Sequence, residues 1–223
     1  MRRLLFLLLA TVFTWGGTAQ AADHPDIVQA GFSPDAHYHL LITAYDQDAS
    51  TFPVSTLQIT DVRRNTVAYS VRKTWNTDEG EIAPDDPAAA LRAGQAAVLA
   101  RYGLSHPIAG QRLFQTPPLP LLAYPPDHAA HRVTSLGDLT LTPLPFKSGC
   151  TYSDFPLRGF VLKLGKRVLQ RDARLPDSRQ CANGYNLETA WTYRGRLVVI
   201  VRSYTQAWEG PDVTPLVVTG RLP

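Results

Sequence analysis

LVVIV, residues 197–201, is the stretch whose reading decides the fold. It has no polar position to place against solvent, and all but the leucine are β-branched. Such a short, continuous apolar run predicts a strand covered on both faces. Strand signals recur outward from it. YHLLITAY (38–45), TLQITDV (56–62) and TVAYSVR (66–72) form a first group. Phe160, Leu162 and Leu164 lead through Gly165-Lys166 into Val168–Gln170, a hairpin signal, and LVVT (216–219) closes the chain. Tyr185–Tyr193 precedes the turn Tyr193-Arg194-Gly195-Arg196.

One segment reads as helix. Asp86 can cap it, Pro87 suits its first position and Gly103 ends it ahead of Pro107. Ala88, Leu91, Gln95, Val98, Leu99 and Tyr102 recur at helical spacing, and Gly94 weakens the middle by about 1 kcal/mol relative to alanine. The prediction is a mainly β fold, sandwich- or barrel-like in its antiparallel sheets, with one α-helix near 86–102; α+β is the alternative. The prolines from Pro107 to Pro126 are expected to forbid regular ladders there, and the segment to lie over the core between two halves. The halves echo one another weakly. In each, a turn leads to a long strand ending in tyrosine (Tyr45, Tyr204), then a loop holding acids, proline and an aromatic, then another strand.

The first residues bear on compartment. Arg2-Arg3 precedes the apolar run Leu4–Phe13, and Ala19-Gln20-Ala21 follows as an A-x-A cleavage pattern. This reads as a secretory signal peptide over 1–21, too short in its apolar core to span a bilayer. Residues 22–223 would then form a single exported domain, periplasmic or secreted, with no later membrane span. The whole chain carries 22 Lys+Arg against 19 Asp+Glu. Loss of Arg2 and Arg3 leaves a net charge of about +1, which argues against nucleic acid or an anionic membrane as the main partner. Outside the cytoplasm, Cys150 and Cys181 are most simply one disulfide, worth roughly 3–4 kcal/mol through the loop it closes. A metal site or a redox pair would ask for different spacing or more ligands.

Candidate sites are few. Phe32-Ser33-Pro34-Asp35 is a turn that needs no function. Asp46-x-Asp48-x-Ser50 has the spacing of the first EF-hand ligands, but Thr51 and Leu57 stand where glycine and glutamate belong. His37 and His39 lie two apart on an expected strand and would share a face with metal-binding potential, which nothing else in the sequence supports, so no metal and no cofactor is expected. There is no G-x-S-x-G elbow. Arg158, Arg174, Arg179 and Arg194 are spread singly, as solvated or ion-paired charges usually are. The favoured candidates are two acidic-aromatic loops at strand ends: Tyr45, Asp48 and Phe52 in one, and Tyr204, Trp208, Glu209 and Asp212 in the other. A shared rim of these would suit a sugar, a peptide or a cationic group.

Several stretches carry a resemblance: Ala22-Asp23-His24-Pro25, Gly31-Phe32-Ser33-Pro34-Asp35, Gln47-Asp48 and Phe52-Pro53. Further along are Leu99-Ala100-Arg101-Tyr102-Gly103, Arg174-Leu175-Pro176 and Ser178-Arg179-x-Cys181. Glu209-Gly210-Pro211-Asp212 and Val218–Pro223 complete them. In this order they resemble the bacterial predicted secreted proteins with domain of unknown function 2259. Ala36-His37 departs from the glycine and basic residue expected there. The resemblance implies export and a single domain, and carries no activity, ligand or catalytic residue. The functional expectation is an exported, non-catalytic module that binds a small molecule or an envelope protein. The alternatives are a small hydrolase using Asp48 and Glu209 as paired carboxylates, and a calcium-stabilised module.

Overall fold

A computed structural model describes residues 22–48, 50–120, 123–147, 150, 155–207 and 210–222. The signal peptide read at 1–21 lies outside the described residues. The strands are β1 (Asp26–Phe32), β2 (Tyr38–Asp46), β3 (Pro53–Asp61), β4 (Thr66–Thr74), β5 (Gln111–Gln115) and β6 (Ala130–Thr134). They continue as β7 (Gly137–Pro145), β8 (Arg158–Leu164), β9 (Arg167–Arg171), β10 (Ala182–Tyr193), β11 (Arg196–Gln206) and β12 (Pro211–Arg221). They form three antiparallel four-stranded sheets, ordered β1-β2-β3-β4, β12-β11-β10-β5 and β6-β7-β8-β9. The fold is mainly β with some helix, and its sheets are stacked and open.

The stacking follows from side-chain alternation. On β11, Val198 and Ile200 pack with Phe32, Leu41 and Val62 of the first sheet and its turns. Leu197, Val199 and Val201, pointing the other way, pack with Leu139, Leu141, Phe160 and Leu162 of the third sheet. The second sheet is therefore the middle layer, and the run 197–201 is buried on both faces as its composition requires. β2 does the same one layer up. Leu41 faces the second sheet, while Leu40 and Ile42, with Leu57 and Ile59 of β3, face the helices.

The helical segment starts as expected and is then interrupted. The Asp86 carboxylate accepts from the Ala89 N–H at 2.9 Å, Pro87 opens the helix and Gly103 leaves it at φ +67°. α1 (Pro87–Gly94) and α2 (Ala96–Arg101) are separated at Gln95, whose φ of −106° is not helical. Gly94 supplies the weak point, and Gln95 accepts from the Tyr69 hydroxyl at 2.7 Å, tying the break to β4. Ala88, Leu91 and Leu99 form the face buried on the first sheet.

One expectation about proline needs correction. The segment 107–126 does carry a ladder: residues 111–115, free of proline, form β5 and pair with β10 as an edge strand. The hairpin β6–β7 has no counterpart among the expected strands, and its second strand holds Pro143 and Pro145. β6 reaches only to Leu141 on β7, so the prolines stand where β7 pairs with β8 alone. A missing N–H costs little on an unpaired side.

The two halves do share a pattern. Tyr45 faces Val54 across β2–β3 and Tyr204 faces Val213 across β11–β12, each nine residues on from its tyrosine. Cys150 and Cys181 form a disulfide with Cα atoms 5.2 Å apart. Asn65, at φ +55° in the β3–β4 turn, joins the three sheets. Its Oδ1 accepts from the Thr219 N–H at 2.8 Å, and its Nδ2 donates to Gln170 Oε1 at 3.3 Å. Among the described residues, no helix is long and apolar enough to cross a membrane.

Candidate functional site

The first and second sheets pack tightly around Leu41 and Ile200 but part towards the end of β2 and the start of β12. The opening is a cleft of about 280 Å³. Cross-strand register explains its floor. Thr43, Thr56 and Arg72 lie in one row across β2, β3 and β4, and Gln58 on β3 projects from the same face as Thr56. These polar side chains line the cleft with Tyr45, Asp23 and Asp212, and Val213, Thr214 and Pro215 of β12 form the opposite wall.

Asp23 is the junction. Its carboxylate accepts from the Tyr45 hydroxyl at 2.9 Å and from the Asp48 N–H at 3.4 Å. Its own N–H donates to Asp212 Oδ1 at 2.9 Å, and its carbonyl accepts from the Val213 N–H at 2.8 Å. The two acidic loops thus meet through one residue. Arg72 donates to the Tyr45 hydroxyl at 2.9 Å and lies 5.8 Å from its ring. Burial, and then the Asp23 carboxylate, push the Tyr45 phenol up to about 12. Burial also raises the Asp212 carboxyl, helped by the negative charges of Asp23 and Asp48. Asp48 Oδ2 is enclosed without a hydrogen-bond partner. The cleft therefore offers a neutral phenol, one guanidinium and a crowded set of carboxylates, a combination that favours an incoming hydrogen-bond donor.

The sequence-derived candidates divide. Tyr45 and Asp212 line the cleft, and Asp48 touches it through its backbone. Tyr204 is 2 % exposed and packs inside β11, its phenol pushed up to about 12 by burial. Phe52 is half-buried in its loop and is not part of the lining. Trp208 and Glu209 lie outside the described residues, so the Asp48/Glu209 carboxylate pair has no measured separation. Asp23 and Arg72 were missed. For Arg72 the available signal was the polar half of the alternation in TLQITDV and TVAYSVR, which reads as a solvent face; on β3 that face is turned towards the second sheet, on β4 it stays exposed with Arg72 at the cleft, and no local signal marked Asp23.

The histidine reading needs correction. β2 begins at Tyr38, so His37 belongs to the preceding turn, where it pairs with Asp35 at 3.2 Å. His39 is buried between Phe32 and Trp191, and the two histidines do not share a strand face. Among the described residues, no group of three or more His, Cys, Asp or Glu is placed to hold a metal ion. Two of the singly spread arginines have partners: Arg179 forms a buried two-pronged pair with Asp172 at 2.6 Å, and Arg158 bonds Asp127 at 2.6 Å.

The model of the family described as "Predicted secreted protein (DUF2259)" matches residues 41–221. No curated protein and no solved structure matches.

Proposed function

The chain belongs to the DUF2259 family of predicted secreted proteins, and from that premise we propose that residues 22–223 form one exported domain whose cleft between the first two sheets binds a small hydroxyl- or ammonium-bearing molecule without catalysis. One observation carries this reading. Thr43, Thr56 and Gln58 occupy a sheet face turned towards a second sheet, where apolar packing would stabilise the fold better, and the exposed Arg72 stands at its rim. A polar face opening onto a cavity of monosaccharide or amino-acid size is arranged for a ligand that can satisfy it. Asp212 and Asp23 supply acceptors, and Arg72 with Tyr45 orients them.

The test is thermal melting of the 22–223 chain against monosaccharides, amino acids and polyamines. One class is expected to raise the melting temperature in a saturable way. At a hundredfold excess over Kd the gain is about 2.7 kcal/mol. Asp212→Asn and Arg72→Ala are each expected to abolish the shift while preserving the circular dichroism spectrum. A shift that survives both substitutions, or no shift with any class, removes the reading. Turnover of a bound ligand, lost in Asp48→Asn, would replace binding with hydrolysis. A shift produced by calcium chloride alone would replace it with calcium stabilisation.

A further inference from the structure

We propose that the opposite end of the molecule holds an anion site for a phosphate-type group, formed by Arg167, Arg194, Arg196 and Arg221. The four arginines line a depression of about 490 Å³. They reach it from three chain segments and two sheets. Arg167 begins β9 after the Gly165-Lys166 turn, Arg194 stands in the β10–β11 turn, and Arg196 and Arg221 face one another across β11–β12. Arg167 donates through Nη1 to the Arg221 carbonyl, which clips the third sheet to the second at this point. Among the described residues, no Asp or Glu forms an ion pair with any of the four. The near-neutral total charge of the chain thus conceals a local surplus of positive charge.

Two features argue against an idle patch. Like charges directly opposite on neighbouring strands repel, so the Arg196/Arg221 pair costs stability until an anion lies between them. Arg194 adopts φ +46° and Gly195 φ +69°, a two-residue turn in which asparagine or glycine would sit more easily than arginine at the first position. The chain keeps a guanidinium where the backbone disfavours it. Guanidinium groups present planar forks of donors that match phosphate oxygens in pairs, and several around one depression suit a group of two or more negative charges. The site is independent of the cleft. Along β11, Arg196 and Thr205, the partner of Asp212, are about 30 Å apart. Either site can therefore fail without the other.

The experiment titrates the 22–223 chain with pyrophosphate at constant ionic strength. In parallel, it measures cosedimentation with phosphatidylcholine vesicles with and without phosphatidylglycerol. Saturable pyrophosphate binding is expected for a soluble phosphate ester. Binding confined to the phosphatidylglycerol vesicles is expected for a lipid headgroup. In either case Arg194→Asn should weaken binding roughly tenfold and melt no lower than the parent, because it relieves the turn. Arg196→Gln/Arg221→Gln should weaken binding further. Arg167→Gln, on the exposed start of β9, provides a second probe should the double variant fold poorly. Absence of binding in both arms, or binding undiminished in Arg194→Asn and Arg167→Gln, overturns the proposal.

Discussion

His39 shows how a single side chain makes this fold sensitive to acid. Its ring is 5.0 Å from that of Phe32 and 6.1 Å from that of Trp191, and neither ring nitrogen has a hydrogen-bond partner. Burial lowers its pKa from 6.5 to about 3. Between those values the unfolded chain binds a proton that the folded chain refuses. The His39 contribution to stability is therefore unchanged above about pH 6.5 and falls as the pH drops below it, by about 1.4 kcal/mol per pH unit. Asp212 acts in the opposite sense: its raised pKa imposes a penalty at neutral pH that is relieved as the pH falls through its folded value. Melting curves of the parent and of His39→Leu between pH 7.5 and 4.5 separate the two. The parent is expected to lose melting temperature steadily and the variant to lose much less; parallel slopes would show that His39 is not the source. Spacing alone places His37 and His39 on one strand face. Their separation was decided by where β2 begins, which depends on the Ser33-Pro34-Asp35 turn. There the Ser33 hydroxyl donates to the Asp35 carboxylate at 2.6 Å and accepts from the Tyr38 N–H at 3.0 Å.

At the scale of elements, the helical segment offers the sharpest test. Gly94 has negative φ, and a Cβ placed on it meets nothing within 4 Å. Gly94→Ala removes backbone entropy from the unfolded chain and favours continuation through Gln95. It is expected to raise stability by about 0.5–1 kcal/mol in urea denaturation. A loss would mean that the break itself is needed, for instance to keep the Gln95–Tyr69 bond. The start of the helix, its buried face and the double-sided burial of β11 were legible because each depends on local chemistry or on periodicity. The inward face of β3 was not. Thr56, Gln58 and Thr60 alternate with Leu57 and Ile59 as in any half-exposed strand, and nothing local tells that the polar side will be covered. β5 was obscured by the prolines on either side of it, which stand outside its paired residues.

For the whole molecule, cross-links between layers decide stability. The third sheet and the loops beside it are tied by the Cys150–Cys181 bond and by Arg179, buried against Asp172 and 4.9 Å from the Phe160 ring centroid. Reducing the disulfide, or replacing both cysteines with serine, is expected to lower stability by roughly 3–4 kcal/mol through the entropy of the reopened loop. Denaturant melts with and without reductant measure this, and an unchanged midpoint would mean that packing alone holds the region.

The amino-acid sequence by itself determined that the chain is mainly β, that its helix begins after Asp86, that residues 197–201 lie in the interior, and that the two cysteines suit one bond. These follow from composition, periodicity and capping, all of which act over a few residues. It also singled out Tyr45, Asp48, Phe52, Tyr204, Trp208, Glu209 and Asp212, of which Tyr45 and Asp212 line the cleft. Only the tertiary structure decided that Asp23 joins them, that Arg72 stands over Tyr45, and that Arg167, Arg194, Arg196 and Arg221 gather at the far end. Those residues are separated along the chain and come together only through strand register and the stacking of three sheets. Register and stacking are set by long-range packing, a collective property that no local stretch encodes.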